Sequence, residues 1–264
     1  MAGTTRTRRT VLAALATALA GTALATGAPA ASAADPQRVR IVTANVNFGA
    51  DPDLVMERFA KYSQRADVVL VQEAKNVDFA RALRGDDRWV VRQDTTSDAK
   101  QGSAVIVRRS IVAAASDIGP LRLTLGTPDV GGACGILARY VAHVRVELKN
   151  GGVIRPASLH LPPPRCQTGA DGPYERMVRN VKQLSDSHPK RLVLGGDWNK
   201  VVRSDPNDLS ARTGGRIVPR APEGSIDGFY KPKGLGMAQP ASTVGFASKG
   251  HQATQMIVLV PPTF

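Results

Sequence analysis

Cysteine is almost absent from this chain of 264 residues: Cys134 and Cys166 are the only two. Two thiols at that spacing, with no histidine close by, cannot build a metal centre of soft ligands. Aromatic residues make up only 5% of the sequence, and Trp89 and Trp198 sit inside patterned apolar segments. No conspicuous aromatic or aliphatic hairpin is therefore left over to enter a membrane surface. Acids are also scarce, since 22 Asp and Glu stand against 35 Lys and Arg for a formal net charge of +13. Such a balance favours polyanions or anionic surfaces through long-range attraction, without choosing among DNA, RNA and phospholipid. There is no internal repeat and no linker long enough to divide the chain.

The one sustained apolar run lies at the start. Arg6, Arg8 and Arg9 precede an apolar, small-residue stretch from Val11 to Ala25, and Ala31-Ser32-Ala33 fits a small-residue cleavage site. Residues 1–33 read as a signal peptide, and Arg8-Arg9 gives it twin-arginine character. Its many Gly, Ala and Thr residues make a retained span the weaker reading. Cleavage after Ala33 removes three arginines and no acid, which takes the charge from +13 to +10 and leaves residues 34–264 as one domain. An exported chain meets an oxidising compartment, so a Cys134–Cys166 disulfide is expected, with two buried free thiols as the alternative.

Downstream, Arg38 to Val46 reads as a strand, and Leu54, Val55, Phe59 and Tyr62 give helical spacing from Pro52 to Arg65. Val68-Val69-Leu70-Val71 is apolar on both faces and belongs inside a covered sheet. A short helix over Asp78 to Leu83 and strands at Trp89 to Val91 and Ser103 to Arg108 follow. Pro120 to Gly135 reads as irregular. Ile136 to Lys149 alternates, and Asn150-Gly151 supplies a hairpin turn before Val153 to Leu159. Met177, Val178, Val181 and Leu184 form one stripe of a helix from Tyr174 to His188. Strands are expected at Arg191 to Leu194, Ile226 to Tyr230 and Met256 to Val260, and Asp205 to Ser225 as a mobile surface loop. Short strands joined partly by hairpins suggest two packed mixed or antiparallel sheets with helices outside.

Several polar groups sit just beyond strands that carry no other reason to end in them. They are Asn45 and Asn47, Gln72-Glu73, His160, Asp197 and Asn199, Asp227, and His251 ahead of the last strand. Any one alone reads as a turn or cap. Together, Val42-Thr43-Ala44-Asn45-Val46-Asn47, Asp67 to Glu73, Gly102-Ser103-Ala104-Val105, Ser158-Leu159-His160-Leu161-Pro162, Gly196-Asp197-Trp198-Asn199, Ser225-Ile226-Asp227 and His251 resemble the ordered motifs of the endonuclease/exonuclease/phosphatase superfamily. The resemblance runs from about Arg38 to the end of the chain. It implies a four-layered α/β sandwich with two packed mixed β-sheets flanked by helices, and a divalent-metal-dependent phosphodiesterase, expected to be an endonuclease, with Mg²⁺ expected and Mn²⁺ or Ca²⁺ as alternatives.

It also implies roles. Glu73 with Asn45 would hold the metal, whose hard charge suits oxygen ligands. His251 would take the proton of the attacking water with Asp227 on its other nitrogen. Asp197 and Asn199 would position water and phosphate, and His160 would donate to the phosphate or leaving group. One motif departs: where the family usually has Ser-Asp-His, this chain has Ser248-Lys249-Gly250-His251, so an acid is missing, for which Asn47, Asp94 or Asp98 would have to compensate. The substrate expected is nucleic acid, bound by a monomer through Asn47, Arg203, Arg212, Arg216 and Lys231, with Arg220 and Lys233 in the same cluster. A lipid or small-molecule phosphoesterase and a non-catalytic nucleic-acid-binding protein on the same fold stay open as alternatives.

Overall fold

The computed structural model describes residues 35–94, 102–128, 130, 134–166 and 169–262. The expected signal segment and Asp98 lie outside the described residues.

Strand β1 (Gln37–Asn45) runs parallel to β2 (Val68–Gln72), and α1 (Pro52–Ser63) makes the crossover between them. Asp51 caps α1 by accepting from the N–H groups of Asp53 and Leu54, and Pro52 costs no hydrogen bond in the first turn. Val55, Phe59 and Tyr62 fall on one face of α1 and bury, with Phe79 of α2 (Phe79–Ala82), against Val42, Ala44, Val69 and Val71. Strands β3 (Trp89–Gln93) and β4 (Ser103–Arg108) extend this sheet on one side. In the second sheet β5 (Arg122–Thr127), β6 (Arg139–His143), the short β7 (Val146–Glu147) and β8 (Val153–His160) are antiparallel. Helix α3 (Pro173–Ser187) then crosses to β9 (Leu192–Asp197), parallel to β8, and packs Met177, Val178, Val181 and Leu184 on Val141, Leu159, Leu192 and Leu194. After α4 (Leu209–Arg212) come β10 (Ile217–Arg220), β11 (Asp227–Pro232), β12 (Gly236–Ser248) and β13 (His251–Val260). The strand orders are β12-β13-β1-β2-β4-β3 and β10-β11-β9-β8-β6-β5, with β7 paired to β8 off that path. Both sheets are mixed, and with helices on their outer faces they make the expected four-layered sandwich.

Side-chain parity carries the fold into the site. Between the sheets, Val39 and Ile41, Val68 and Leu70, Ile154, Val193, Phe229, and Met256 and Val258 form the central core. Each such side chain removed from water stabilises by roughly 1.5–3 kcal/mol. With a period of two, the same faces end in Asn45, Gln72, Ser158 and His160, Asp197, Asp227 and Thr254. The inner layer is thus apolar along most of its length and polar at one end. Where it changes, the Gln72 amide donates to Ser158 Oγ at 2.9 Å and Ser158 Oγ donates to the Val71 carbonyl at 2.7 Å, so the polar step between the sheets is hydrogen-bonded.

Four expectations change. The alternating run from Ile136 to Lys149 is broken into β6 and β7. Pro120 to Gly135 contains β5, which pairs with β6 although its Thr and Gly residues carry little apolar signal. Asp205 to Ser225 is not an open loop, since it holds α4 and β10. The last strand begins at His251 rather than Met256, because β12 pairs with it through repeated register shifts. β12 itself carried no strand signature: most of it is exposed, and Pro240 and Gly245 suit an irregular edge.

Candidate active site

Asn45 ends β1 fully buried. Its Nδ2 donates to Glu73 Oε1 and to Asp197 Oδ2, each at 3.0 Å, so one amide ties the two sheets together across two carboxylates. Its Oδ1 accepts from the Asn47 N–H, and Phe48 N–H donates to Glu73 Oε2 at 3.1 Å. Glu73 leaves β2 in the left-handed region at φ 58°, a conformation that costs a non-glycine residue about 1–2 kcal/mol. The turn swings its carboxylate off the strand's alternation and into the gap between the sheets. Gly102 permits that turn: a Cβ there would lie 2.7 Å from Lys75 N.

Oδ2 of Asp197 is the common vertex of the remaining groups. His160 Nε2 lies 3.2 Å from it and His251 Nε2 3.8 Å, while Asn199 N–H donates to Oδ1 at 2.8 Å. His251 Nδ1 faces Asp227 Oδ2 at 3.1 Å. A carboxylate can only accept, so Nδ1 carries the proton and Nε2 keeps its lone pair in the neutral ring. The Lys249-Gly250 turn, with Gly250 at φ 84°, is a two-residue hairpin that pairs Ser248 with His251 and starts β13 on the histidine. Burial pushes the Asp197 carboxyl up, but His160, His251 and the Asn199 N–H outweigh it and hold Asp197 below the usual carboxylate range. Burial prevails at Asp227, which is raised, with the charge of Asp197 adding to it against the hydrogen bond from His251. For His251 burial works downward, and the hydrogen bond and charge of Asp227, with Asp197 and Glu73 beyond, lift it above the ordinary histidine value.

The family model for the endonuclease/exonuclease/phosphatase family matches residues 42–251, most of the chain and every motif around this pocket. The chain belongs to that family. Among solved structures, an endonuclease/exonuclease/phosphatase family protein from Bacteroides thetaiotaomicron superposes with a TM-score of 0.64 at 15% identity, over 86% of this chain and 99% of that one. TDP2 of D. rerio, complexed with a single-strand DNA product, gives 0.61 at 14% identity, over 84% and 98%. A B. thetaiotaomicron mannosyl-6-phosphatase gives 0.58 at 14% identity, again over 84% and 98%. No curated protein matches the chain.

Endonuclease/exonuclease/phosphatase family members are phosphoesterases that depend on a divalent metal, and the donor set of this one suits such an ion. Glu73, His160 and Asp197 bring ligand atoms within 4.8 Å of one another, as do Asp197, Asp227 and His251. Buried carboxylates gathered this closely need a cation near them, and their oxygens suit a hard one. The Nδ1 of His160 is buried without a hydrogen bond, 3.4 Å from Glu73 Oε1, and so is left for a group supplied from outside. Gly250 contributes no carboxylate. Asp94, buried on the wall that His160 also lines, lies outside both clusters.

Of the expected basic cluster, Lys231 and Arg216 lie at the end of the sheet away from the pocket. Lys231 is buried, and its Nζ donates to the carbonyls of Pro232 and Leu235; burial, and then Arg220, lower it to about 8. It follows Asp227 by four residues along β11, about 13 Å down the strand. Arg216, ion-paired to Asp186, precedes Ile217, which pairs with Pro232 at that same far end. Arg212 is held by Glu175, and Arg203 Nε by the Ala221 carbonyl. Asn47 sits beside Glu73: its Oδ1 accepts from Gly49 N–H, and its Nδ2 has no partner among the described residues. Asn199 Nδ2 donates to the Leu161 carbonyl at 2.8 Å, which fixes the loop after His160. Arg139 was not anticipated. It is buried, its Nη1 donates to the carbonyls of His160 and Leu161, and burial lowers it to about 10 against the pull of Asp197 and Glu73. The signal was a lone arginine in an apolar alternating strand. Ser248, which donates to the Asn45 carbonyl at 2.7 Å, was equally silent. Cys134 and Cys166 are joined, with an S–S distance of 2.02 Å.

Proposed function

We propose that the chain is an exported monomer that hydrolyses nucleic-acid phosphodiester bonds with a divalent cation, Mg²⁺ before Mn²⁺ or Ca²⁺. One observation carries this reading: His251 stands between two carboxylates, Nδ1 to Asp227 at 3.1 Å and Nε2 to Asp197 at 3.8 Å, and the Asn45 amide joins Asp197 to Glu73. Glu73 with Asn45 would hold the cation, which neutralises charge on the phosphoryl oxygens when bound. His251 accepts the proton of the attacking water at Nε2, and Asp227 keeps the tautomer and stabilises the charge that develops. Asp197 orients that water by accepting its second hydrogen. As the water oxygen bonds to phosphorus and the ester P–O bond breaks, the departing oxygen takes its proton from His160 Nδ1, which requires both ring nitrogens of His160 to carry hydrogen, Nε2 facing Asp197. The Asn47 amide donates to a phosphoryl oxygen, and Asn199 holds the loop that follows His160.

The net charge of +13, or +10 without residues 1–33, supports a polyanionic substrate. A second reading, a small phosphomonoesterase, is favoured by the engagement of Lys231 and Arg216 at the end of β10 and β11 away from the pocket. The relatives divide the same way, one holding a DNA product and one named as a sugar phosphatase. Turnover of plasmid DNA, an oligonucleotide, sphingomyelin and a phosphomonoester in Mg²⁺ separates these readings, and activity confined to the phosphomonoester selects the second. His251→Ala should cut DNA cleavage by about 10²–10⁴-fold while retaining most DNA binding. Unchanged cleavage would remove His251 from the mechanism.

A further inference from the structure

The second sheet has two ends, and the one opposite the pocket is crowded with cations. Arg122 at the start of β5 pairs directly with His143 at the end of β6, so the two share a face. His143 pairs with Ala157 of β8, which puts Arg155, two residues earlier, on that same outer face. Arg155 N–H donates to the Arg191 carbonyl at 2.7 Å, just ahead of β9. His188, at the end of α3, closes over them with its ring centroid 6.3 Å from that of His143. Among the described residues, Arg122, Arg155 and Arg191 form no ion pair, whereas Arg145 and Arg216 on the same edge pair with Glu147 and Asp186.

Arg155 is also built into place. Its Nη1 donates to His143 Nδ1 at 3.1 Å, and the opposite ring nitrogen, Nε2, meets Thr124 Oγ1 at 3.2 Å. A guanidinium cannot accept, so His143 accepts at Nδ1 and donates from Nε2. Burial, then Arg155, His188 and Arg122, lower His143 to about 4 and keep it neutral. The histidine therefore orients Arg155 without cancelling its charge. The guanidiniums of Arg155 and Arg122 beside a neutral buried ring, with the charge of Arg191 near enough to act on Arg155 and His188 and no carboxylate among them, make a surface that suits phosphate oxygens.

We propose that Arg122, Arg155 and Arg191 form a second phosphate-binding surface, on the pole opposite the catalytic pocket, which holds the backbone of a long nucleic-acid strand. The proposal rests on the nucleic-acid reading above. Arg155 precedes His160 by five residues on β8, about 17 Å away, so a dinucleotide at the pocket cannot reach it and a long strand can. The strands from β5 to β9 set the three arginines across about 14 Å, enough for several phosphates.

The test is binding of a labelled single strand of about 30 nucleotides in EDTA, measured by anisotropy over a range of salt. R122A/R155A/R191A should weaken binding by about tenfold or more at low salt and reduce the log–log salt slope by about 2, roughly 0.7 per lost contact. Dinucleotide hydrolysis in Mg²⁺ should stay within about twofold. The variant K61A/R81A/R84A removes equal charge from α1, α2 and the turn after α2 and should keep most of the affinity. R122A/R191A leaves the Arg155–His143 contact intact and serves if the triple variant does not fold. Unchanged affinity and slope, or an equal loss in the α1/α2 variant, would overturn the proposal. Because binding is read without cleavage, a chain that binds through these arginines but cuts no nucleic acid would sink the catalytic reading and leave this one standing.

Discussion

At the scale of single residues, the chemistry turns on the His251 proton. Burial alone would make the ring a weak base, and Asp227 more than reverses this, so its proton affinity stands above the ordinary histidine value. A general base must be neutral, hence cleavage should fall as pH drops through that raised value. Asp227→Asn keeps the shape but removes the charge. It should move the acid limb of the kcat/KM profile to lower pH and reduce the plateau by about 10²-fold or more. A pH profile that does not move would mean that another group limits the rate. Gly250 is the other residue that matters here. A Cβ at Gly250 meets nothing within 4 Å, but φ is +84°, so Gly250→Asp should fold with a penalty of about 1 kcal/mol. If the missing family acid limits metal affinity, that variant should bind Mn²⁺ more tightly in calorimetric titration, and equal affinity would show that the set of Glu73 and its neighbours is already sufficient.

At the scale of elements, legibility followed burial. Strands with both faces covered, such as Val68 to Gln72 and Leu192 to Asp197, announced themselves as apolar runs, and the polar residues ending them stood out by contrast. β12 was invisible because an exposed, bulged edge needs no alternation. The arginines between Asp197 and His251 misled for a related reason: proximity in sequence says nothing about which end of β10 or β11 a side chain reaches. The close approach of neighbouring strands within a sheet was also unreadable, although glycine marks it. Gly196 lies where a Cβ would come 1.9 Å from the Leu159 carbonyl, so β8 and β9 approach here only without a side chain. Gly196→Ala should force the two strands apart, costing about 3 kcal/mol in urea unfolding and shifting Asp197 against His160. Activity in the folded fraction should fall with it. Full activity at wild-type stability would mean that the register between these strands is softer than its packing implies.

At the scale of the whole molecule, the two sheets hold the site from opposite sides. Asn45, Glu73 and His251 come from one, His160, Asp197 and Asp227 from the other, and the Asn45 amide spans the gap. Anything that loosens one sheet end therefore acts on the chemistry. The Cys134–Cys166 bond is placed to do this, because Cys166 follows His160 by six residues, and Arg165 donates to the Cys134 carbonyl at 2.9 Å. In the chain-entropy account, closing 32 residues stabilises by about 3–4 kcal/mol. Cys134→Ser with Cys166→Ser should accordingly lower the midpoint of thermal unfolding by several degrees. Its effect on catalysis separates two roles for the link. If the link only restricts the unfolded chain, the folded variant keeps its kcat. If it also steadies the segment from His160 to Cys166, kcat falls at temperatures well below unfolding.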